Sequence, residues 1–354
     1  MKLDAWRFRA PLGPPLRRAA IAGVPVGATV LVDLGLSAGE LAGIGVGALL
    51  AGFVGFDSPS GRTRAIWQAC SAPFIASAGA LGALTGSSAV LAVVTMIVLA
   101  SIAGLTFAVS LRLYIGGAST VLALLIAQGL ALDTADAVEV FALGGIGAML
   151  QAAVSLAVSV IDRIVERLDP RAGLHNARKA ISENLSLDSV AFRHALRWGI
   201  ALGVGVAAYH LLDLGLHGYW VPLTVLFVLR PSYGETWERI AMRAAGTVLG
   251  LLIATPLAEL IGNVDVLEAI AIVAAAAFSY ALLAIEYALF TAAITSFAVV
   301  YAHAHGQPAI EAADERAAAT VVGLVIVAFA FLVFRDRPAP APAPAASATA
   351  QASD

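Results

Sequence analysis

Apolar segments long enough to cross a bilayer follow one another along almost the whole chain. A membrane-spanning helix needs about 20 mostly apolar residues, and twelve stretches come close to that length. Only 13% of the 354 residues are charged, whereas soluble domains carry roughly 25%. The sequence therefore predicts an all-α integral membrane protein with twelve transmembrane helices. The predicted spans are 18–36, 39–56, 65–84, 88–111, 113–132 and 138–161, followed by 195–214, 218–230, 241–261, 265–284, 286–302 and 316–334.

The basic residues support this arrangement, because the cytoplasmic loops of membrane proteins carry an excess of Lys and Arg. When the N-terminus is placed inside, all but one of the 21 basic residues fall in inner loops and tails. The exception is Arg316, which falls on the outer side. A wrong number of spans would scramble this partition, so the sequence predicts twelve spans with both termini in the cytoplasm.

The two groups of six segments resemble each other. The sequence "VDLGL" at 32–36 recurs as "LDLGL" at 212–216, an offset of 180, and "SPSGRTR" at 58–64 is matched by "RPSYGETWER" at 230–239. Because each half holds an even number of spans, both halves would enter the membrane in the same direction. We therefore predict two parallel six-helix repeats, related by a pseudo-two-fold axis along the membrane normal.

The polar stretches set the predicted domain boundaries. The mixed charges of the stretch between the halves indicate short helices on the cytoplasmic surface, and the last residues are a low-complexity Pro/Ala sequence. Since the chain has a single cysteine, no intrachain disulfide can form. The predicted domains are a cytoplasmic leader (1–17), a first membrane repeat (18–161), a short cytoplasmic linker (162–194), a second membrane repeat (195–334) and a disordered cytoplasmic tail (335–354).

The stretch "VLFVLRPSYGETWERIAMR" at 225–243 joins an apolar run to a short hinge rich in arginine. Pro231 interrupts a helix, and Ser232 and Glu235 have the spacing of a capping box that starts a new one. The N–H groups at a helix N-terminus attract a carboxylate, and an arginine fork binds a carboxylate through two hydrogen bonds. The hinge is therefore either part of a substrate pathway or only the cytoplasmic edge of a membrane helix.

Several residues around this hinge are candidates for a substrate pathway. Arg239 and Arg243 share one face of the new helix, and nearby aromatic rings could stack an aromatic acid. Arg112 and Glu286 occupy matching turns of the two halves, where they could pair, Glu286 could take a coupling proton, or both could be ordinary interfacial charges. The candidate pathway residues are Arg243, Arg239, Arg230, Tyr233, Trp237, Arg112 and Glu286.

The same region resembles the signature of a known family. Its "YWVPLTVLFVLRPSYGETWERIAMRAAGTVLG" is similar to the motifs of the fusaric acid resistance protein-like (FUSC) family of bacterial inner-membrane proteins. Those motifs are a Tyr-Trp-x-Pro-Leu-Thr helix, a Pro-x-Tyr/Phe-Gly hinge and Arg-x-x-Gly-Thr-x-x-Gly. The first half of the chain has lost most of this pattern. The matching positions are Tyr219, Trp220, Pro222, Leu223, Thr224, Pro231, Tyr233, Gly234, Arg243, Gly246, Thr247 and Gly250.

The resemblance implies export of aromatic or other organic acids across the bacterial cytoplasmic (inner) membrane. More remotely, the chain is similar to plant aluminium-activated malate channels, whose pores form between six-span units and are lined by basic residues. Other motif positions are expected to serve as hinge or helix-packing residues, the glycines by letting helices approach closely. These positions are Trp220, Pro222, Pro231, Gly234, Gly246, Thr247 and Gly250.

The sequence thus predicts an inner-membrane exporter or anion pathway for organic carboxylates, aromatic ones included, coupled to the proton gradient. A major-facilitator-type secondary transporter and a non-transporting structural protein of the envelope are the alternatives. No nucleophile elbow, acid/base dyad, metal pair or phosphate-binding loop occurs within the spans, so no enzyme, cofactor or metal is expected. The expected partners are the lipid bilayer and an organic anion, not nucleic acid, and a homo-oligomer is left open.

Overall fold

The computed structural model is helical over the part of the chain that it describes. The described residues are 42–333, except 59, 131, 133, 160–169, 213–217, 263 and 284, together with 21, 23, 25–27 and 29. No strand occurs among them. The predicted leader (1–17), most of the first predicted span (18–36), the start of the predicted linker (162–169) and the predicted tail (335–354) lie outside the described residues.

Twelve α-helices lie in the described ranges. The helix α6 falls in the polar stretch between the halves, and each of the other eleven coincides with one of the predicted spans. The bounds are α1 Ala42–Phe53, α2 Gly61–Thr85, α3 Ala89–Leu105, α4 Leu111–Gly129, α5 Ala137–Ser159, α6 Pro170–Glu183, α7 Val190–Leu212, α8 Trp220–Val228, α9 Tyr233–Ile261, α10 Asp265–Leu283, α11 Tyr287–Ala304 and α12 Ala309–Val333.

Eight helices of the described chain are long and apolar enough to cross a membrane, namely α3, α4, α5, α7 and α9 to α12. The helix α2 has 25 residues, but its Arg, Gln, Pro, Ser and Gly residues lower its mean hydropathy. The helices α1 and α8 have 12 and 9 residues, which correspond to roughly 18 and 14 Å, less than the ~30 Å of a hydrocarbon core. All but one of the residues of α8 are buried, so its neighbours shelter this short helix from lipid.

Two hinges have the same local structure. Ser60 precedes α2 in an extended conformation, and its side chain accepts a hydrogen bond from the backbone N–H of Thr63. Ser232 precedes α9 in the same way and accepts from the N–H of Glu235 at 3.3 Å. The new helix predicted to begin after Pro231 is therefore confirmed, with Ser232 as its N-cap.

Small residues let the helices approach one another closely. A Cβ atom added to Gly43 of α1 would lie 2.9 Å from the Cβ of Leu143 on α5, and Gly47 lies against Gly144 of the same helix. The most extensive helix contacts join α2 with α5, α9 with α11, α3 with α7, α1 with α5, α2 with α4 and α10 with α11. The outward faces of the spans are apolar, as at Leu260, which is 84% exposed. Such a surface needs lipid around it, which agrees with a multi-pass membrane protein.

Candidate anion site

The short helix α8 forms the centre of a polar cluster between α9, α11 and α12. Its Thr224 is fully buried, and α12 passes close to it at Gly323. A Cβ atom on Gly323 would lie 2.6 Å from the Cβ of Thr224, so only glycine permits this approach. The backbone of α12 is thereby held against the face of α8 that carries Thr224.

Arg243 is one of two deeply buried arginines in this cluster. It lies ten residues after Tyr233, the first residue of α9, or about 15 Å along the helix, and it is 0% exposed. Its Nη2 donates a hydrogen bond of 3.3 Å to Oγ1 of Thr224. Its Nε and Nη1 have no acceptor, and no carboxylate of the described residues pairs with it. A buried cation in this state is costly unless an anion compensates it.

Arg316 on α12 is the second buried arginine, at 1% exposure. Its Cζ lies 3.8 Å from the centroid of the Trp220 ring. None of its three side-chain nitrogens has an acceptor among the described residues. Arg316 lies within electrostatic range of Arg243 and of the side chains of Tyr219 and Tyr287. The two guanidiniums therefore repel each other across a short distance.

Sequence reasoning missed Arg316 as a site residue and placed it at the outer end of the last predicted span (316–334). One feature of the sequence pointed to it, because Arg316 is the single basic residue that the predicted topology places on the outer side of the membrane. An arginine on the outer side contributes nothing to orienting the chain, so its presence there called for another explanation. The structure supplies one, because α12 begins at Ala309, seven residues earlier than the predicted span, and carries Arg316 into the bundle.

Two further arginines continue the cluster toward the hinge. The Cζ of Arg239 lies 4.0 Å from the centroid of the Tyr287 ring, and Arg230 is within electrostatic range of Arg239. The Tyr287 hydroxyl lies near both Arg239 and Arg243 but makes no hydrogen bond of good geometry. We call the series Arg230, Arg239, Arg243 and Arg316 the arginine ladder.

The remaining candidates of the sequence analysis lie apart from the ladder. Tyr233 and Trp237 are 48% and 39% exposed, and the Tyr233 ring packs on Phe331 of α12. Arg112 pairs with Asp57, with Nε 3.0 Å from Oδ2, because α4 begins beside the first hinge. It forms no ion pair with Glu286, which is half-buried at the N-cap of α11.

Two motif glycines lie where α9 packs against α11. A Cβ on Gly250 would lie 2.7 Å from the carbonyl oxygen of Ala292, and a Cβ on Gly246 would lie 2.7 Å from the Cβ of Thr291. Thr247 lies between these glycines in the sequence and is buried. Its Oγ1 has no hydrogen-bond partner in the described structure. These glycines bring α11, and with it Tyr287, against the ladder.

The other motif residues hold the hinge and α8 in place. Pro222 packs against Gly205 of α7, where a Cβ would lie 2.9 Å from the Cα of Pro222. The carbonyl oxygen of Pro231 accepts a hydrogen bond from Arg197 of α7 at 3.0 Å. Gly234 has no atom within 4 Å of an added Cβ, so it lies in open space.

An apolar cavity of about 490 Å³ lies between the two halves of the chain. Its walls come from α1, α2, α4 and α5 on one side and from α8, α10 and α11 on the other. Trp220 lines the cavity and also carries the guanidinium of Arg316 on its ring. The polar lining residues include Asp136, Glu139 and His305. The cavity is therefore adjacent to the Arg316 end of the arginine ladder.

Fold and site together define a multi-pass helical membrane protein with buried, uncompensated arginines in its second half. Residues 200–330 match the family model described as fusaric acid resistance protein-like, so the predicted family resemblance is confirmed for that half. The motif residues around α8 and α9 and all of the ladder fall inside the matched segment.

Similar proteins of other bacteria include one inner membrane protein. The chain is 33% identical over 156 residues to an uncharacterized protein of Synechocystis sp., covering 43% of this chain and 20% of the relative. It is 29% identical over 158 residues to inner membrane protein YccS of Escherichia coli, covering 45% and 22%. It is 42% identical over 78 residues to an uncharacterized protein of Neisseria gonorrhoeae, covering 22% and 18%. The matched segment thus spans about a fifth of each relative's length. No solved structure matches the chain.

Proposed function

We propose that the chain is an exporter or anion pathway for organic carboxylates, aromatic ones included, in the bacterial cytoplasmic membrane. The observation that carries this proposal is Arg243, which is fully buried, three turns into α9, without a carboxylate partner in the described structure. A substrate carboxylate would supply the missing negative charge and accept a bidentate hydrogen bond from the guanidinium. The anion would pass from one arginine of the ladder to the next.

The proposed architecture is a pair of parallel six-helix repeats in which the first helix of each repeat packs on the fourth helix of the other. A Cβ on Gly23, in the first predicted span, would lie 3.1 Å from the Cβ of Ala277 on α10, and a Cβ on Gly104 of α3 would lie 3.1 Å from the Cβ of Ala195 on α7. Residues 23 and 195 are 172 apart, and 104 and 277 are 173 apart. The same contact therefore occurs twice, with the roles of the two halves exchanged.

A second pair of contacts follows the same rule. Gly27 lies against Val273 of α10, and Gly199 of α7 lies against Ser101 of α3. Residues 27 and 199 are 172 apart, and residues 101 and 273 are also 172 apart. The N-caps Ser60 and Ser232 also differ by 172. The sequence match at an offset of 180 joins 32–36 with 212–216, and all of these positions except 212 lie outside the described residues. This register supports twelve spans in two parallel repeats, which would put both termini on one side of the membrane. The partition of basic residues makes that side the cytoplasm in the proposal, with α6 on the cytoplasmic surface.

The crossed packing also favours this proposal over the major-facilitator alternative. A rocking transporter of that type needs two separable six-helix halves, whereas here α7 packs on α3 and the first predicted span packs on α10. The cavity between the halves offers a route for the apolar body of a substrate. Energy from the proton gradient is part of the proposal, since the sequence contains no phosphate-binding loop for ATP.

The proposal is tested by efflux from proteoliposomes that hold the full chain. Labelled benzoate and succinate are loaded, and efflux is followed with and without an imposed pH gradient. Arg243→Gln should lower the flux about tenfold to hundredfold, because it removes charged hydrogen bonds. Arg62→Gln removes an exposed charge at the start of α2 and serves as the matched control. Equal flux in Arg243→Gln and the control would refute the pathway, and no flux above empty vesicles would favour the non-transporting envelope protein.

A further inference from the structure

Two buried arginines contact successive turns of the same face of α8. Arg316 lies on the ring of Trp220, and Arg243 donates to Oγ1 of Thr224. Positions 220 and 224 are four residues apart, so their side chains lie one above the other, about 6 Å apart along the helix. The two guanidiniums thereby contact neighbouring turns of α8, one from α9 and one from α12, and lie within electrostatic range of each other.

The charge of this pair is not compensated by the described part of the chain. Five of the six guanidinium nitrogens have no acceptor, the exception being Nη2 of Arg243. The titratable groups that act on Arg316 are Arg243, Tyr219 and Tyr287, and tyrosine hydroxyls are neutral at physiological pH. Two buried like charges without counter-charge are strongly unfavourable. A ligand of charge −2 would neutralise both.

Trp220 positions Arg316 for such a ligand. A guanidinium stacked on an indole ring is held by its flat face, so its N–H donors at the edge of the plane stay available. An arginine with a structural role would direct these donors to backbone carbonyls, as Arg197 does at Arg230 and Pro231. Arg316 instead keeps all of its donors without an acceptor in the described structure.

We infer that Arg316 and Arg243 form one anion-binding site that takes a dicarboxylate, with one acidic group on each guanidinium. The inference rests on the proposed anion pathway. It adds Arg316 to the substrate site and assigns the substrate a charge of −2. A monocarboxylate satisfies only one of the two arginines, so it binds more weakly. Trp220 acts through Arg316 as a positioning residue.

The test uses the purified full chain in detergent and two four-carbon acids, succinate and butyrate, at equal ionic strength. Binding is measured by titration calorimetry and by the ligand-induced rise in Tm. Wild type should bind succinate at least about tenfold more tightly than butyrate, because the second carboxylate adds charged hydrogen bonds. Arg316→Gln should weaken succinate binding by about tenfold to hundredfold and leave butyrate binding unchanged, which abolishes the preference.

A second readout separates ligand binding from structure. In the absence of ligand, Arg316→Met should raise Tm, since replacing a buried unpaired charge by an apolar side chain of similar size is stabilising. Arg316→Lys should keep part of the succinate preference, because it retains the charge without the fork. Trp220→Leu should weaken succinate binding while butyrate binding persists. Arg62→Gln should behave as wild type in all measurements.

The outcomes distinguish this inference from the proposed function. If Arg316→Gln still prefers succinate over butyrate as wild type does, Arg316 is a structural residue. The same conclusion follows if ligand-free Arg316→Met has a lower Tm than wild type and still prefers succinate. The proposed function would still stand in either case if Arg243→Gln lost flux. Equal binding of succinate and butyrate by wild type would overturn the dicarboxylate assignment. Loss of neither binding nor flux in Arg243→Gln would overturn the pathway and this site together.

Discussion

The guanidinium of Arg197 on α7 donates a hydrogen bond of 3.0 Å to the carbonyl oxygen of Pro231 in the second hinge. The same Nη2 also donates to the carbonyl oxygen of Arg230 at 3.1 Å. These carbonyls follow the end of α8, where the helix has stopped and no backbone N–H of a next turn can reach them. Arg197 therefore supplies the hydrogen bonds that a further helical turn would have made, and its positive charge interacts favourably with the negative C-terminal end of the helix dipole.

Arg197→Met should lower the stability of the protein. The substitution removes the donor of the Pro231 carbonyl and leaves the Arg230 carbonyl with the hydroxyl of Thr236 at 3.3 Å, and an unsatisfied buried group costs about 1–3 kcal/mol. Thermal unfolding in detergent should show a lower Tm than wild type. Since Arg316→Met is expected to raise Tm, the two variants should change stability in opposite directions. A rise in Tm for Arg197→Met would mean that these hydrogen bonds do not support the hinge.

Gly250→Ala should also destabilise the fold. The added Cβ would lie 2.7 Å from the carbonyl oxygen of Ala292 and from the Cβ of Thr295, so α9 and α11 would have to move apart, at a cost of about 1–3 kcal/mol. Gly234→Ala is the matched control on the same helix, because its Cβ meets no atom within 4 Å. Replacing Gly by Ala in a helix is otherwise favourable by up to about 1 kcal/mol. Comparable Tm values for the two variants would show that this close approach is not required.

Paired cysteines should link the two halves at both crossed contacts. In a Cys70→Ala background, the pairs Gly23→Cys with Ala277→Cys and Gly104→Cys with Ala195→Cys each bring two Cβ atoms near the spacing of a disulfide. After mild oxidation and proteolysis in the polar stretch between the halves, non-reducing gels should show the fragments still joined. Single-cysteine variants provide the control. Joining by one pair only would contradict the reciprocal arrangement of the repeats.

The helices were predictable from the sequence, whereas the composition of the site was not. An apolar run of about 20 residues indicates a span whatever surrounds it, and eleven described helices lie where such runs were predicted. The orientation of each helix about its own axis depends on packing instead. On α9, the contacts of Gly246 and Gly250 with α11 turn Arg243 inward and leave Tyr233 and Trp237 on the outer face. Neither result follows from local spacing alone.

The depth of Arg316 illustrates the same limit. Its hydropathy window places it at the edge of the last span, but α12 extends seven residues further toward the N-terminus. That extension is stabilised by Ala309 and Ala312, which are buried in one apolar cluster with Ala254 and Ala258 of α9, about 55 residues earlier in the chain. A pattern within one helix contains no information about such a partner.

The aromatic contact of the ladder is expected to be Tyr287 and not the hinge pair Tyr233 and Trp237. The Tyr287 ring lies 4.0 Å from the Cζ of Arg239 and its hydroxyl lies near Arg243, while both hinge rings are partly exposed and the Tyr233 ring packs on Phe331. Tyr287→Leu should therefore lower carboxylate flux about fivefold to thirtyfold, the range given by a buried cation–π contact of about 1–2 kcal/mol. Tyr233→Leu and Trp237→Leu, measured in the same proteoliposomes, should keep wild-type flux because their side chains do not contact the ladder. A loss of flux in both hinge variants with Tyr287→Leu unaffected would move the substrate route from the ladder to the outer face of α9.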